Sequence, residues 1–276
     1  MSEANKREAS YILGHSEAEI LRLQAQAEIL RPITERLLRS AGIRPGMRVL
    51  DLGSGAGDVA MLAAELVGPS GWVVGIDRNS QVLSIAMERA NHAGFRHLSF
   101  HEAAVESFVD DAGYDLVIGR YVLIHQTDPV AFLRAAARLA RPGGSMAFHE
   151  LRLRDACCSV PNVPLWEMID TLLRLAFSSA LPHYDAGERL IEHFAHAGLT
   201  EPNLFCETHV WGAADVPYYA WAVDTLRVLL PQLQRSGIID AEFMGIETLE
   251  TRVRDAVRRA HSQVTGAPQI CAWTRT

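Results

Sequence analysis

A chain of 276 residues that is 49% apolar suits one large domain or a domain with a cap, and it can bury a core without disulfides or metals. A formal net charge of −7 and a pI near 5.9 exclude the basic surface that a nucleic-acid partner requires. No apolar run approaches the ~18 residues of a membrane span and the first residues lack an apolar leader core, which predicts a soluble, cytoplasmic protein with no membrane span.

In chain order, Ser16-Glu-Ala-Glu19 reads as a capping box that opens a helix with Ile20, Leu23, Ala27 and Leu30 on one face. Pro32 predicts a second start, with Ile33, Leu37, Leu38 and Ala41 inward and Gly42 as the stop. Two helices are therefore expected before the first strand. The stretch Val49–Asp58 then reads as strand, glycine loop and helix start. Glycine allows a positive φ and a close approach to a ligand, and the following helix directs unpaired N–H groups at that ligand. A nucleotide-like ligand is expected there.

The glycines fall at 53, 55 and 57, with Asp58 where the dinucleotide fingerprint places its third glycine. A carboxylate at that point disfavours a pyrophosphate and tolerates an ammonium and a sulfonium. From Val49 to Gly57 the chain resembles the first motif of the class I S-adenosylmethionine (SAM) methyltransferases, apolar-apolar-acid-apolar-Gly-x-Gly-x-Gly. Further landmarks follow in order. Trp72–Asp77 reads as a strand ending in an acid near the offset that holds a ribose diol. Leu98–His101 is a strand followed by Glu102-Ala103, and Tyr114–Gly119 a strand followed by Arg120–His125. Asp128-Pro129 starts a helix, Arg141–Gly144 is a turn, and Ser145–Glu150 is a fifth strand. The resemblance spans residues 40 to 152 and is nearest to the ubiquinone/menaquinone-biosynthesis-like small-molecule methyltransferases.

That resemblance implies a Rossmann-like three-layer α/β/α sandwich with a seven-stranded, mostly parallel sheet and an antiparallel last strand. It also implies a SAM site made by Asp51, Gly53, Ser54, Gly55, Gly57, Asp58, Asp77, Arg78, Glu102, Ala103, Arg120, His125 and Tyr11. Residues 1–45 would form an N-terminal helical lid, to which Tyr11, His15, Arg22 and Gln24 would contribute, and 46–152 the SAM-binding core. Residues 153–200 would supply a helical cap segment and a core helix.

Residues 201–276 hold the last two strands, Asn203–Trp211 and Gln269–Thr276, with a helical insertion over 213–265. Leu165–Phe177 is apolar nearly all round, and 186–197 forms a helix with Leu190, Ile191 and Phe194 inward. The insertion, with Tyr218, Tyr219 and Trp221, reads as a cap over an acceptor pocket or as a homodimer contact, and the two can coexist. Cys157, Cys158, Cys206 and Cys271 have no C-x-x-C spacing, so reduced thiols are expected, Cys206 and Cys271 as core thiols and Cys157-Cys158 as filler.

Methyl transfer needs alignment and exclusion of water more than it needs a base. Where the acceptor must lose a proton, His125, His149 and Glu150 stand at strand ends, with His183 and Tyr184 in the cap. His149 reads equally as a satisfied core histidine. No histidine spacing suggests a metal. Three rival functions share parts of these motifs. An NAD(P)-dependent oxidoreductase would want Gly at 58, a nucleic-acid methyltransferase would want Asn-Pro-Pro-Tyr and positive charge, and a non-catalytic SAM-binding module would keep the same cofactor residues. The expected partner is a small apolar or aromatic acceptor, with no nucleic acid.

Overall fold

A computed structural model describes residues 17–154, 157–212, 217–239 and 245–276. In chain order its strands are β1 (Arg48–Leu52), β2 (Trp72–Asp77), β3 (Leu98–Glu102), β4 (Tyr114–Arg120), β5 (Ala140–Leu151), β6 (Ser159–Val160), β7 (Asn203–Glu207), β8 (Val210–Trp211), β9 (Gln263–Thr265) and β10 (Gln269–Arg275). Its helices are α1 (Glu17–Ser40), α2 (Asp58–Val67), α3 (Ser80–His92), α4 (Pro129–Ala137), α5 (Pro164–Ala180), α6 (Leu190–Ala197), α7 (Pro217–Arg235) and α8 (Ile246–Ala260).

Seven strands form one sheet in the order β3-β2-β1-β4-β5-β10-β7. The first five pair in parallel, and β10 inserts antiparallel between β5 and β7. Tyr114 to Gly119 of β4 are buried without a break, as a central parallel strand covered on both faces must be. The order in which strands are added reverses between β1 and β4, so the crevice beyond their C-terminal ends is where this architecture takes a ligand. One face of the sheet packs on α2, α3 and the second half of α1, and the other on α4 and α6. The expected three-layer sandwich with an antiparallel last strand is the fold found.

Several boundaries differ from expectation. A single helix, α1, replaces the two expected before β1, with Pro32 inside it. Proline removes the N–H that would bond the Glu28 carbonyl; both residues are exposed, so water can satisfy that carbonyl and the helix continues. Ser16 lies outside the described residues. Arg141–Gly144 is a bulge inside β5 rather than a turn before it, since pairing with β4 shifts register between Tyr114 and Leu116. Asn203–Trp211 divides into β7 and β8, which join different sheets. Ahead of α6 stands a 3-10 turn, Ala186–Glu188, and Ile191 is 50% exposed rather than inward. Of the four free cysteines, Cys157 and Cys271 are buried, whereas Cys158 and Cys206 are exposed and are not core thiols. Cys206 pairs with Ile270 across the β7–β10 ladder, which puts its side chain on the opposite face from Cys271.

A third apolar cluster, separate from the sheet, unites α5, α7, α8 and the middle of α1 at Ile29 and Leu30. Trp166 and Tyr219 are fully buried there, and Tyr218 stacks on Trp211 with ring centroids 3.7 Å apart. This cluster accounts for the nearly all-round apolarity of α5. The small sheet β6-β9-β8 ties the segment ahead of α5 to the segments that flank α7 and α8. Among the described residues, no helix is long and apolar enough to cross a membrane.

Candidate active site

The crevice at the β1–β4 switch is a cavity of about 1410 Å³, beyond the ~300–1,000 Å³ usual for one small ligand. Its walls include Gly53, Ser54 and Gly55, Asp77, Arg78 and Asn79, and Ala103, Val105 and Glu106. They also include the apolar Phe132, Leu151, Leu153, Phe177, Leu181 and Trp221, and the polar Arg22, Gln26, Arg120 and His125.

The glycines of the loop do three different things. Gly55 has φ +51 and open space where a Cβ would stand, so its backbone faces the cavity. A Cβ on Gly57 would lie 2.8 Å from Cζ of Phe100, which makes this glycine a packing requirement of α2. At Gly53 a Cβ would meet Cγ1 of Val122 at 2.8 Å. The loop is held from β2: Asp77 accepts the Gly55 amide on Oδ2 and the Asn79 amide on Oδ1, each at 3.0 Å. Each carboxylate oxygen retains a lone pair for a further donor.

Asp51 and Asp58, alike in the sequence, have different surroundings. Asp58 at the start of α2 is ion-paired with Arg89 at 2.6 Å, which neutralises the charge expected to select a cation. Asp51 is 1% exposed and its Oδ2 has no hydrogen-bond partner. Burial raises its pKa to about 8, against the opposing pull of Arg120 and the Ala60 amide.

Ala103 lines the cavity, but Glu102 is exposed and stands outside it, because consecutive strand residues face opposite ways. Arg78 lies at the rim, paired with Glu106 at 2.9 Å. Arg120 lines the cavity and donates to Thr34 Oγ1 at 3.2 Å. Arg22, buried in α1, reaches Gln26 Oε1 and Thr225 Oγ1 of α7. Tyr11, His15 and the side chain of Gln24 lie outside the described residues.

Of the candidate bases only His125 reaches the cavity. Crowding by surrounding protein lowers its pKa to about 4. His149 is fully buried between Thr34 Oγ1 and Gln269 Oε1, 3.0 Å from each. Gln269 Nε2 donates to the Ala267 carbonyl, so its Oε1 must accept, and the His149 proton is assigned to Nε2. Its Nδ1 faces Thr34, and burial with Arg120 nearby lowers its pKa to about 3. Glu150 is also fully buried and holds the amides of Val122 and Leu123. Neither lines the cavity, and both are internal groups of the fold. His183 bonds the Thr127 carbonyl, and Tyr184 packs on the core; neither lines the cavity.

Sequence reasoning missed Gln26, Tyr121, Leu153 and Leu181 as cavity residues. Tyr121 holds φ +56, a conformation that bulky residues rarely adopt. No signal in the local sequence marks it.

The strand order and glycine loop define a class I methyltransferase fold. BH2331 of Bacillus halodurans C-125, assigned as a methyltransferase, superposes with a TM-score of 0.58 over 88% of this chain and 97% of its own at 16% identity, which is a likeness of fold alone. Residues 43–176 match the model of the methyltransferase domain family. It is 34% identical over 114 residues to an arsenite methyltransferase of Aquipseudomonas alcaligenes, covering 38% of this chain and 33% of that protein. It is 29% identical over 140 residues to a demethylmenaquinone methyltransferase of Listeria welshimeri, covering 50% and 55%. The chain thus spans about a third to a half of the length of these relatives.

Proposed function

We propose that the chain transfers a methyl group from SAM to a small apolar or aromatic acceptor. The observation that carries this reading is the large cavity whose walls join the glycine loop and Asp77 with the apolar side chains of Phe132, Leu153, Phe177 and Leu181. Two features of these walls fit SAM. The unpartnered Oδ2 of Asp51 suits an ammonium, since a buried carboxylate oxygen without a donor is costly. Gly55 leaves space for close approach, and Asp77 can take a ribose diol on the lone pairs its loop amides leave. Ala103 and Val105 offer apolar surface for an adenine.

SAM, when bound, supplies a carbon already activated by its sulfonium. The protein's part is then to align the acceptor and to exclude water. Trp221 of α7 and Phe177 of α5 support the reading of the helical insertion as a cap over the acceptor. His125 is neutral at pH 7 and only weakly basic, so it suits orientation, or a proton from an acceptor already acidic.

Arsenite, the substrate named for one relative, is disfavoured as the acceptor. A soft metalloid calls for converging thiolates, and none of the four cysteines lines the cavity. Incubation with methyl-labelled SAM and a panel of phenols, quinols, amines and acids tests the proposal. Labelled product from a phenol or quinol is expected, and no transfer to any apolar or aromatic acceptor, with SAM bound, would overturn it.

A further inference from the structure

Glu150 is a buried carboxyl at the heart of the site that the chemistry above does not use. Its Oε1 accepts the amides of Val122 at 3.0 Å and Leu123 at 2.8 Å, while Oε2 has no partner. These two amides open the 3-10 turn Leu123–His125, whose Ile124 and His125 line the cavity.

The turn is set tightly. Tyr121 ahead of it has φ +56, held by its amide on the His149 carbonyl at 2.8 Å and by its hydroxyl on Gln269 Oε1 at 2.6 Å. The Val122 side chain fills the space left by two glycines: a Cβ on Gly119 would lie 2.5 Å from Val122 Cγ2, and one on Gly53 2.8 Å from Val122 Cγ1. Gly53 belongs to the loop after β1. A displacement of the Val122 backbone is therefore passed directly to that loop.

We propose that Glu150 is a positioning residue, which by gripping the Val122 and Leu123 amides sets Val122 against Gly53 and His125 against the cavity. This rests on the cofactor site proposed above and adds to it the element that keeps the site in shape. Glu150 cannot itself exchange a proton with a ligand, because no part of it reaches the cavity. Nor is apolar filling sufficient, since two adjacent buried amides would lose their acceptor.

The test uses S-adenosylhomocysteine, titrated calorimetrically into the wild type and into Glu150→Gln, Glu150→Leu and Val122→Ala, with amide exchange of Val122 and Leu123 read by NMR. Gln retains an acceptor oxygen and should bind within about threefold of wild type, whereas Leu should bind roughly ten- to a hundredfold more weakly. Both amides should stay protected with Gln and exchange faster with Leu. Val122→Ala leaves the grip intact and should weaken binding with the amides still protected, which provides a test should the Leu variant fail to fold. Wild-type affinity in the Leu or the Val122→Ala variant, or a loss with Gln as large as with Leu, would overturn the proposal. If the wild type does not bind S-adenosylhomocysteine, the cofactor reading fails, and unprotected amides in that same protein would separately refute the grip.

Discussion

The Gly55 amide donates to Oδ2 of Asp77 across 3.0 Å, which makes the loop after β1 and the end of β2 one unit. Replacing Asp77 by Ala should remove both the loop's anchor and the acceptor for a ribose, a cost of about 1.5–3 kcal/mol for charge-assisted hydrogen bonds. SAM affinity should fall roughly ten- to a hundredfold. Calorimetric titration decides, and an unchanged dissociation constant would remove Asp77 from the site.

Gly55 and Gly57 should respond differently to alanine. At Gly57 a Cβ meets Phe100 Cζ at 2.8 Å and Ala86 Cβ at 3.1 Å with φ +85, so Gly57→Ala should lower stability by about 2–4 kcal/mol through overpacking and left-handed strain. Gly55→Ala meets nothing within 4 Å and should cost only ~1–2 kcal/mol, but its Cβ would enter the cavity. Thermal melts and SAM titration together should show Gly57→Ala as the less stable variant and Gly55→Ala as the weaker binder relative to its stability.

Asp51 and Glu150 both have folded pKa values raised to about 8 by burial. A raised acid folds best protonated, so its contribution is full below the unfolded pKa of ~4 and lost as pH rises towards 8. Glu150→Gln removes one such penalty. Its stability relative to wild type should therefore improve steadily from about pH 4.5 to about pH 8. A difference that stays constant with pH would show that Glu150 does not titrate in that window.

If Asp51 pairs with the ammonium of SAM, binding must ionise a carboxyl that is largely protonated at neutral pH in the free protein. Between about pH 6 and 8 binding should release a fraction of a proton. The measured enthalpy would then depend on the ionisation enthalpy of the buffer, and Asp51→Asn should abolish that dependence. Equal enthalpies in phosphate and Tris would argue that Asp51 keeps its charge state on binding.

Among the described histidines, only His125 meets the cavity. Once an acceptor is known, His125→Ala should lower turnover by about tenfold or more while cofactor affinity stays within a fewfold, if it orients the acceptor or takes its proton. His149→Ala should act on stability instead, because it leaves Thr34 and Gln269 without their shared partner. A large turnover loss in a stable His149 variant would reverse these assignments.

The glycine loop, the order of the strands and the helical insertion are legible in the chain because local rules govern them. Short apolar runs, glycines at 53, 55 and 57, and the Asp128 cap act over a few residues. Which charges matter was not legible. Asp51 and Asp58 look equally poised along the chain, and only packing brings Arg89 from α3 onto Asp58 while leaving Asp51 Oδ2 alone. His149 and Glu150 sit at a strand end, where sequence logic puts reactive groups. The surroundings of His149 come from Thr34, more than a hundred positions earlier, and from Gln269, more than a hundred later, and Glu150 is met by the amides of Val122 and Leu123. Long-range contacts of that kind decide whether a titratable side chain faces a ligand or seals a core, since burial and partner geometry are properties of the folded whole. The chain by itself therefore determined the kind of site, and tertiary packing decided which of its residues face the ligand.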